Sequence, residues 1–325
     1  MNPSFARAFA AGEDLSRWTE CGSFQSHAPG CLLHESQASP RRLLLSCAIH
    51  GDETAPIEML DRLIEDIRQG LLEPSASVLF VVGNPPAILA GQRFIGHDMN
   101  RLFDGQWIAK EDLEEARRAK ELEEVTASFA RDGESLWHLD LHTTIRASRI
   151  ERFGIANVES REMLPVELWK LLRAAGMGAV VFSPRSRGTY SAFSSRLPGV
   201  TSLTLELGQG KRFGENALEA TEDLERALCC WLEDKPLPAA AHAEPECYQV
   251  TREILKEAGE FRFHLPAEMQ NFASLEPGQV LAEGATGKLV ADEGECVLFP
   301  NPNVAVGLRA AVLVRSADYK RSRRL

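Results

Sequence analysis

The sequence predicts an α/β fold in which helices flank a sheet and a smaller β-rich domain follows at the C-terminus. Short, uninterrupted apolar runs are typical of strands that are covered on both faces of a sheet. Segments with apolar residues three and four positions apart lie between these runs and predict amphipathic helices. Near residue 235 the composition shifts to a proline- and alanine-rich stretch, and short segments separated by glycine and proline follow it. We therefore predict a main domain over residues 1–235, a linker over 236–245 and the β-rich domain over 246–325.

The composition is that of an ordinary globular protein, because the 325 residues are 44% hydrophobic and 26% charged, which allows a sizeable core. The net charge of −11 argues against nonspecific nucleic-acid binding, which needs a basic surface. No apolar run is long enough to span a membrane and the N-terminus lacks a secretory signal, so we predict a cytoplasmic protein without a membrane partner. Seven cysteines without a Cys-x-x-Cys pair indicate neither a disulfide framework nor a thiolate zinc site.

The first buried strand is predicted over residues 43–49, and it ends at two candidate metal ligands, His50 and Glu53. Gly51 interrupts the apolar pattern between them, which indicates a turn at the end of the strand. A helix is predicted over residues 56–70, because a proline opens this segment, apolar residues recur at helical spacing and a glycine ends it. A histidine and a glutamate three positions apart are common by chance, and zinc usually takes a further protein ligand from elsewhere.

The second strand is predicted over residues 78–82, where a glycine, an asparagine and two prolines end the apolar run. Residues 91–103 have neither helical nor strand periodicity, and a long polar loop of this kind is typical of functional segments. The density of glutamate, lysine and arginine over residues 110–131 predicts a surface helix whose charges serve solvation.

The third strand is predicted over residues 136–142, and its alternation places His138, Asp140 and His142 on one face. His142 comes last in this strand, just before two threonines. It is therefore the expected third metal ligand, at the end of a second strand.

Two further strands, two helices and a polar loop complete the main domain, whereas no pattern assigns an element to the first forty residues. The strands are predicted over 179–182 and 201–208, the helices over 163–175 and 216–232, and the loop over 183–198. In the last strand leucines alternate with polar residues, so Glu206 lies on the polar face near the strand's end. A carboxylate at that position is a candidate functional group.

Four short motifs occur in order along the main domain. They are His50-Gly51-Asp52-Glu53, Asp98-Met99-Asn100-Arg101, Asp140-Leu141-His142 and Glu206-Leu207-Gly208. With these motifs, and with residues 299–305 near the C-terminus, the sequence closely resembles the succinylglutamate desuccinylase/aspartoacylase family over nearly its full length. The resemblance implies a zinc carboxypeptidase-like fold with a mixed sheet flanked by helices, and it implies that the main domain is the zinc hydrolase catalytic domain.

The resemblance further implies one zinc ion per chain, held by His50, Glu53 and His142 with a position left for water. Zinc lowers the pKa of a bound water from ~16 toward ~7, and a neighbouring carboxylate takes the proton as the water attacks an amide carbon. By the same comparison Glu206 is the general base and Arg93 holds the scissile carbonyl oxygen. Cobalt or manganese stays open as the metal, because affinity order and availability decide which ion is bound in a cell.

Asn100, Arg101 and Arg196 match family positions that bind substrate carboxylates, a task that suits the planar guanidinium group. The implied substrate, N-succinyl-L-glutamate, carries three carboxylates, so local arginines are expected in an otherwise acidic protein. Asp140 is either a partner that orients a metal ligand or a structural residue of its strand. Other nearby histidines, including His138, do not match the ligand pattern.

The activity that the resemblance implies is hydrolysis of N-succinyl-L-glutamate to succinate and L-glutamate, the last step of arginine degradation by the succinyltransferase pathway. Three alternatives stay open: an aspartoacylase-like hydrolase of another N-acyl amino acid, a noncatalytic zinc-binding relative, and a carboxypeptidase that acts on peptides. The expected partner is a small anionic N-acyl amino acid, and a homo-oligomer is compatible with the sequence. The resemblance leaves two points open: which N-acyl amino acid is preferred, and whether the C-terminal domain covers the site.

Overall fold

The computed structural model describes residues 4–130, 134–184, 186–239, 241–266 and 268–317. Parts of some predicted segments lie outside the described residues. In the main domain they are residues 1–3, residues 131–133 at and after the end of the predicted surface helix, and residue 185 of the predicted polar loop. They also include residue 240 of the linker, and residue 267 and residues 318–325 of the β-rich domain.

The helices and strands of the described residues are as follows. The α-helices are α1 (Phe5–Ala10), α2 (Ser16–Thr19), α3 (Thr54–Gln69), α4 (Pro85–Ala90), α5 (Glu114–Phe129), α6 (Val166–Ala174), α7 (Tyr190–Ser194) and α8 (Glu222–Leu232). The strands are β1 (Gln25–Ala28), β2 (Cys31–His34), β3 (Arg42–Cys47), β4 (Ser77–Val82), β5 (Leu136–Thr144), β6 (Arg152–Ala156), β7 (Ala179–Phe182), β8 (Val200–Gln209), β9 (Glu246–Leu255), β10 (Arg262–Phe263), β11 (Ala273–Ser274), β12 (Val280–Gly284), β13 (Gly287–Val290), β14 (Glu295–Leu298) and β15 (Arg309–Ser316). Short 3₁₀ turns lie at Met99–Arg101, Gln106–Lys110, Arg161–Met163 and Leu218–Ala220.

Among the described residues, twelve strands form one mixed sheet in the order β1-β2-β4-β3-β5-β8-β6-β7-β9-β15-β14-β11. Its centre is parallel, with β4, β3, β5 and β8 side by side, and β6 returns antiparallel to β8. Every residue of β3 and β4 is buried, which explains why their apolar runs are nearly continuous. The predicted mixed sheet flanked by helices is confirmed.

Helices cover both faces of this parallel centre. On one face α3, α6 and α8 share a core with the leucines of β5 and β8, including Leu139 and Leu205. On the other face α5 packs against Leu44 of β3 and Leu79 of β4. Because side chains alternate along a strand, the polar residues of β5 and β8 face away from the leucine core. The candidate site residues of these two strands are therefore on the α5 side of the sheet.

The predicted elements of the main domain are present, with some ends displaced. α6 begins at Val166 rather than at residue 163, because Pro165 occupies its N-cap and Leu164 before it is extended. α8 begins at Glu222 rather than at residue 216, and the acidic residues of its first turn suit the positive end of the helix dipole. The predicted loop over 183–198 contains α7. The sequence patterns predict none of the elements α1, α2, α4, β1, β2 and β6.

The C-terminal region continues the main sheet. β9 pairs in parallel with β7, and β15, β14 and β11 follow outward as antiparallel neighbours. A second sheet of three strands, β10-β12-β13, shares an apolar core with β9 and β15. The β-rich character of this region is confirmed, whereas its proposed boundaries at residues 235 and 245 stay predictions. None of the helices in the described part of the chain has the length and apolar character needed to cross a membrane.

Candidate metal centre and active site

The turn between β3 and α3 brings His50 and Glu53 together. Glu53 is the N-cap residue of α3, and the segment before it passes close to the start of α4. A Cβ atom on Gly51 would lie only 2.1 Å from the carbonyl carbon of Ala87, so no side chain fits at this position. The glycine between the two candidate ligands is thus required by the close approach of two backbones.

Three buried side chains from two strand ends meet at one point. The Nδ1 atom of His50 lies 2.8 Å from Glu53 Oε1, and Nδ1 of His142 lies 2.9 Å from Glu53 Oε2. One ligand atom from each residue lies within 4.8 Å of the others. Two imidazole nitrogens and one carboxylate oxygen form a donor set that suits zinc in a catalytic site, where water takes the remaining position. The three predicted ligands therefore fit a divalent metal ion.

Each of the two imidazole rings also contacts a carboxylate other than Glu53. Nε2 of His50 lies 3.0 Å from Asp98 Oδ1, and Nε2 of His142 lies 3.0 Å from Asp140 Oδ2. A proton on each Nε2 would be donated to the carboxylate, which leaves the Nδ1 lone pair directed at the centre. Asp140 thus contacts a predicted ligand, in the arrangement expected of an orienting partner.

The charges around the centre favour a positive occupant. Burial lowers the pKa of His50 and of His142, but the neighbouring carboxylates outweigh it, and both pKa values lie above the ordinary range for histidine. Burial likewise opposes ionisation of Glu53, yet the two histidines hold its pKa well below the usual value. Anionic Glu53 between the two rings therefore creates a position at which a cation, whether a proton or a metal ion, is stabilised.

Glu206 lies next to this centre with an unused oxygen. It is the cross-strand partner of His142 in the β5–β8 pair, and its side chain is buried. Its Oε2 atom has no hydrogen-bond partner among the described residues. Burial, which His142 partly offsets, raises the pKa of Glu206 to about 7. A buried carboxylate with a raised pKa and a free oxygen beside a metal centre is suited to accept a proton from water.

Arg93 lies at the edge of the centre, between Glu53 and solvent. One guanidinium nitrogen donates to Glu53 Oε1 at 2.8 Å, and 29% of the side chain is exposed. The carbonyl oxygen of Arg93 accepts a hydrogen bond from the backbone N–H of Gly51 at 3.2 Å, which ties the loop to the ligand turn. The structure thus brings Arg93 together with the three predicted ligands and Glu206.

The three predicted carboxylate-binding residues make different contacts. Asn100 and Arg101 lie in the 3₁₀ turn that Asp98 caps, and Asn100 Oδ1 accepts from the backbone N–H of Tyr190 at 3.0 Å. Arg196 instead pairs with Asp104 at 3.1 Å and donates to two backbone carbonyl oxygens of its own loop. A role for these three residues in binding substrate stays a prediction.

Sequence reasoning missed two contacts to the centre. Asp98 belongs to one of the four motifs that carry the family resemblance, but the sequence alone gives it no role. Its place in the same motif as two predicted substrate-binding residues is the signal that could have indicated one. The backbone N–H of Thr143 donates to Glu53 Oε2 at 2.9 Å, and no sequence pattern reports a backbone donor. Both contacts help to hold the ligand side chains in place.

A cavity of about 510 Å³ opens at the carboxyl ends of β5 and β8, which is the size range of small-molecule sites. Thr144 and Gly208, each two positions beyond a residue of the centre, form part of its wall. The wall also carries charged and polar side chains, including Arg152, Lys211 and Asn216. The side chains that line this cavity do not include the candidate ligands, Glu206 or Arg93, so the cavity is a neighbour of the centre and not the centre itself.

Comparison with known protein families gives two matches that together extend over most of the chain. The profile of the succinylglutamate desuccinylase/aspartoacylase catalytic domain matches residues 39–230. The profile of the AstE/AspA barrel-sandwich hybrid domain matches residues 243–317. The second match gives the β-rich C-terminal region a recognised domain type.

Similar proteins cover nearly the same length. A succinylglutamate desuccinylase from Pseudomonas fluorescens is 40% identical over 304 residues, which is 92% of this chain and 88% of that protein. One from Pseudomonas paraeruginosa is 44% identical over 278 residues, 84% of this chain and 83% of that protein. A solved succinylglutamate desuccinylase structure from Vibrio parahaemolyticus superposes with a TM-score of 0.83 at 29% identity, covering 97% of this chain and 96% of the other. The zinc carboxypeptidase-like fold implied by the motifs is confirmed.

Proposed function

Because the chain belongs to the succinylglutamate desuccinylase/aspartoacylase family and is a hydrolase that acts on an amide, we propose that it converts N-succinyl-L-glutamate and water to succinate and L-glutamate. The relatives with this name are similar over most of both lengths, which supports the substrate assignment. One observation carries the chemistry: three ligand atoms meet beside the unpaired oxygen of Glu206. In this proposal the reaction is the last step of arginine degradation by the succinyltransferase pathway.

The residues of the centre divide the chemistry between them. A zinc ion held by His50, Glu53 and His142 would polarise the amide carbonyl and lower the pKa of water at the site. Glu206 accepts a proton from the attacking water as a bond forms between the water oxygen and the amide carbon. Glu206 then gives that proton to the leaving nitrogen as the carbon–nitrogen bond breaks. The proton that remains on the new carboxylic acid passes to the freed amine, so that the products are succinate and glutamate with a protonated amino group.

Arg93 has the position and chemistry to stabilise the oxygen of the scissile carbonyl. Negative charge develops on that oxygen when the amide carbon becomes tetrahedral, and a donor already in place stabilises it without reorganisation. In the structure the guanidinium binds Glu53 at one nitrogen and is partly exposed, so other N–H groups are available to a bound substrate. Asn100, Arg101 and Arg196 are proposed to bind the substrate carboxylates.

The proposal also covers the identity of the metal, the location of the protein in the cell and its assembly. The two imidazoles and one carboxylate suit zinc, although cobalt or manganese is compatible with the same donor set. A cytoplasmic location and a homo-oligomer remain predictions from the sequence.

The substrate proposal is tested by product release from two amides. We expect metal-loaded protein to release succinate and glutamate from N-succinylglutamate, and to release little acetate from N-acetylaspartate. Chelation followed by dialysis should abolish the release, and added zinc should restore it. Both products should be measured by chromatography on protein of known metal content.

The other outcomes decide between the alternatives. Preferential cleavage of N-acetylaspartate would keep the amide hydrolase and replace the substrate. Stoichiometric metal without turnover of either amide, or of a panel of N-acyl amino acids, would favour the noncatalytic relative. Release of C-terminal residues from a peptide would favour a carboxypeptidase.

Replacing Arg93 by lysine is expected to lower kcat by about 10²–10³-fold, because the ammonium lacks the planar fork with which a guanidinium can donate to Glu53 and to the developing oxyanion from separate nitrogens. The metal content should stay at the wild-type level, since Arg93 is not a ligand. Arg117→Lys on the exposed side of α5 is the matched control and should retain full activity. Equal kcat in Arg93→Lys and wild type would remove Arg93 from the chemistry.

A further inference from the structure

A buried chain of hydrogen bonds runs from the metal ligand His142 into the core. Asp140 contacts His142 through one oxygen, and its other oxygen accepts from the hydroxyl of Ser46 at 2.6 Å. The Ser46 oxygen lies 2.8 Å from Nε2 of His138, and Nδ1 of His138 lies 2.6 Å from the hydroxyl of Ser194. We call Asp140, Ser46, His138 and Ser194 the His138 chain; all four side chains are fully buried.

Donor counting gives each bond of this chain a direction. Ionised Asp140 can only accept, so the single proton of the Ser46 hydroxyl is donated to it. The Ser46 oxygen must then accept from Nε2–H of His138, which leaves Nδ1 of that ring without a proton. Burial lowers the pKa of His138 to about 4, in agreement with a neutral ring that carries one proton. Nδ1 therefore accepts from the Ser194 hydroxyl.

The two metal-binding histidines are held in different ways. Asp98, the partner of His50, accepts a hydrogen bond from the backbone N–H of Asn100 at 3.0 Å. The carboxylate that holds His50 is therefore itself held by a backbone donor. Asp140 has a side-chain donor instead, Ser46, whose hydroxyl can rotate. The N–H of His138 determines the orientation of that hydroxyl. A serine oxygen that accepts a hydrogen bond on one side directs its own proton to an acceptor on the other side. The chain thus transmits orientation from the core to one side of the metal centre.

We propose that His138 is a positioning residue for the metal centre, acting through Ser46 and Asp140 to hold the His142 ring with its Nδ1 lone pair toward the metal. The inference rests on the proposed metal site but not on the proposed substrate. Among the described residues, the side chain of His138 forms its hydrogen bonds with Ser46 and Ser194 and none with the three proposed ligands. Loss of its Nε2–H leaves the Ser46 oxygen without a donor and frees the hydroxyl to leave Asp140, which loosens the His142 ring.

A pair of substitutions separates this role from simple packing. In His138→Gln the side-chain amide can place an N–H near the position of Nε2, and Ser194 can turn to the carbonyl oxygen of Ser191, 3.1 Å away. In His138→Asn the shorter amide reaches only the Ser194 end, so Ser46 loses its donor. Both variants place a neutral amide in the same buried position.

The experiment measures the zinc dissociation constant by competition with a chromophoric chelator, together with denaturant unfolding of the metal-free proteins. We expect His138→Asn to bind zinc about tenfold more weakly than wild type, at the lower end of what outer partners of zinc ligands contribute. His138→Gln should stay within about threefold of wild type on the same scale. His264→Asn, at an exposed histidine of the C-terminal region, is the matched control and should not change the zinc affinity.

A purely structural role predicts a different pattern, in which both variants unfold more easily but bind zinc as wild type does. That result would overturn the inference. Ser46→Ala provides a second route if His138→Asn does not fold: it should weaken zinc binding by a similar factor, because Asp140 then loses the hydroxyl donor that the chain orients. Zinc affinity at the wild-type level in Ser46→Ala would also contradict the inference. Failure of the wild-type protein to bind zinc would instead contradict the proposed metal site.

Discussion

Replacing Glu206 by glutamine is expected to lower kcat by about 10²–10⁴-fold while the metal content stays at the wild-type level. The glutamine amide has nearly the same shape but cannot take a proton from water. Among the described residues no hydrogen bond joins Glu206 to the three predicted ligands, and its Oε2 atom has no partner, so the substitution leaves the ligand contacts intact. The loss should therefore appear in turnover and not in metal binding.

The measurement pairs steady-state kinetics on the cleaved amide with metal analysis of the same preparation. Glu124→Gln makes the same chemical change at an exposed position of α5 and should have wild-type kinetics. Turnover of Glu206→Gln at the wild-type rate would exclude Glu206 as the general base. Loss of the metal from that variant would instead make Glu206 part of the binding site.

Replacing Glu53 by glutamine should abolish both metal binding and activity. Glu53 lies within hydrogen-bond distance of Nδ1 of His50 and of His142, and it accepts from Arg93 and from the backbone N–H of Thr143, so it links both histidines to the loop that carries Arg93. Its negative charge is what stabilises a cation between two buried imidazoles. Since loss of an outer partner typically weakens metal affinity 10–100-fold, loss of this anionic ligand should exceed about 100-fold.

Zinc titration in the presence of a competing chelator would measure this effect, again with Glu124→Gln as the matched substitution. We expect Glu53→Gln to be isolated with far less than one metal ion per chain and to regain little activity at high zinc concentration. A variant that retains stoichiometric zinc at wild-type affinity would show that the ion binds elsewhere. The circular dichroism spectrum should remain that of the folded protein, which keeps a folding defect separate from the loss of a ligand.

The whole protein is acidic, whereas the substrate that we propose is an anion, and the local charges near the candidate site account for this difference. The net charge of −11 belongs to the entire chain, whereas Arg93 and Arg101 lie in the loop beside the metal centre. Arg101 interacts electrostatically with Asp98, Arg93 and Arg309, so a residue of the C-terminal region also adds positive charge near this loop. Local charge, rather than net charge, determines which ligand the centre attracts.

The sequence by itself determined the elements that carry the metal centre. β3, β5 and β8 are covered on both faces, so their apolar residues form runs or strict alternations that can be recognised without a structure. His50, His142 and Glu206 follow or end these runs, and the strand ends of a parallel sheet meet at one edge. Strand position therefore indicated the three ligands and the neighbouring carboxylate as candidates, and the family resemblance of the motifs supplied their expected roles.

Only the tertiary structure decided how those side chains are held. The contact of Asp98 with His50, and the links from Asp140 through Ser46 and His138 to Ser194, join residues far apart in the chain. The pairing of β9 with β7 likewise joins the β-rich region to the main sheet across a proline-rich segment. Periodicity reports which face of an element is buried, but it carries no record of which buried polar atom meets which, because those distances arise only when separate strands and helices pack together.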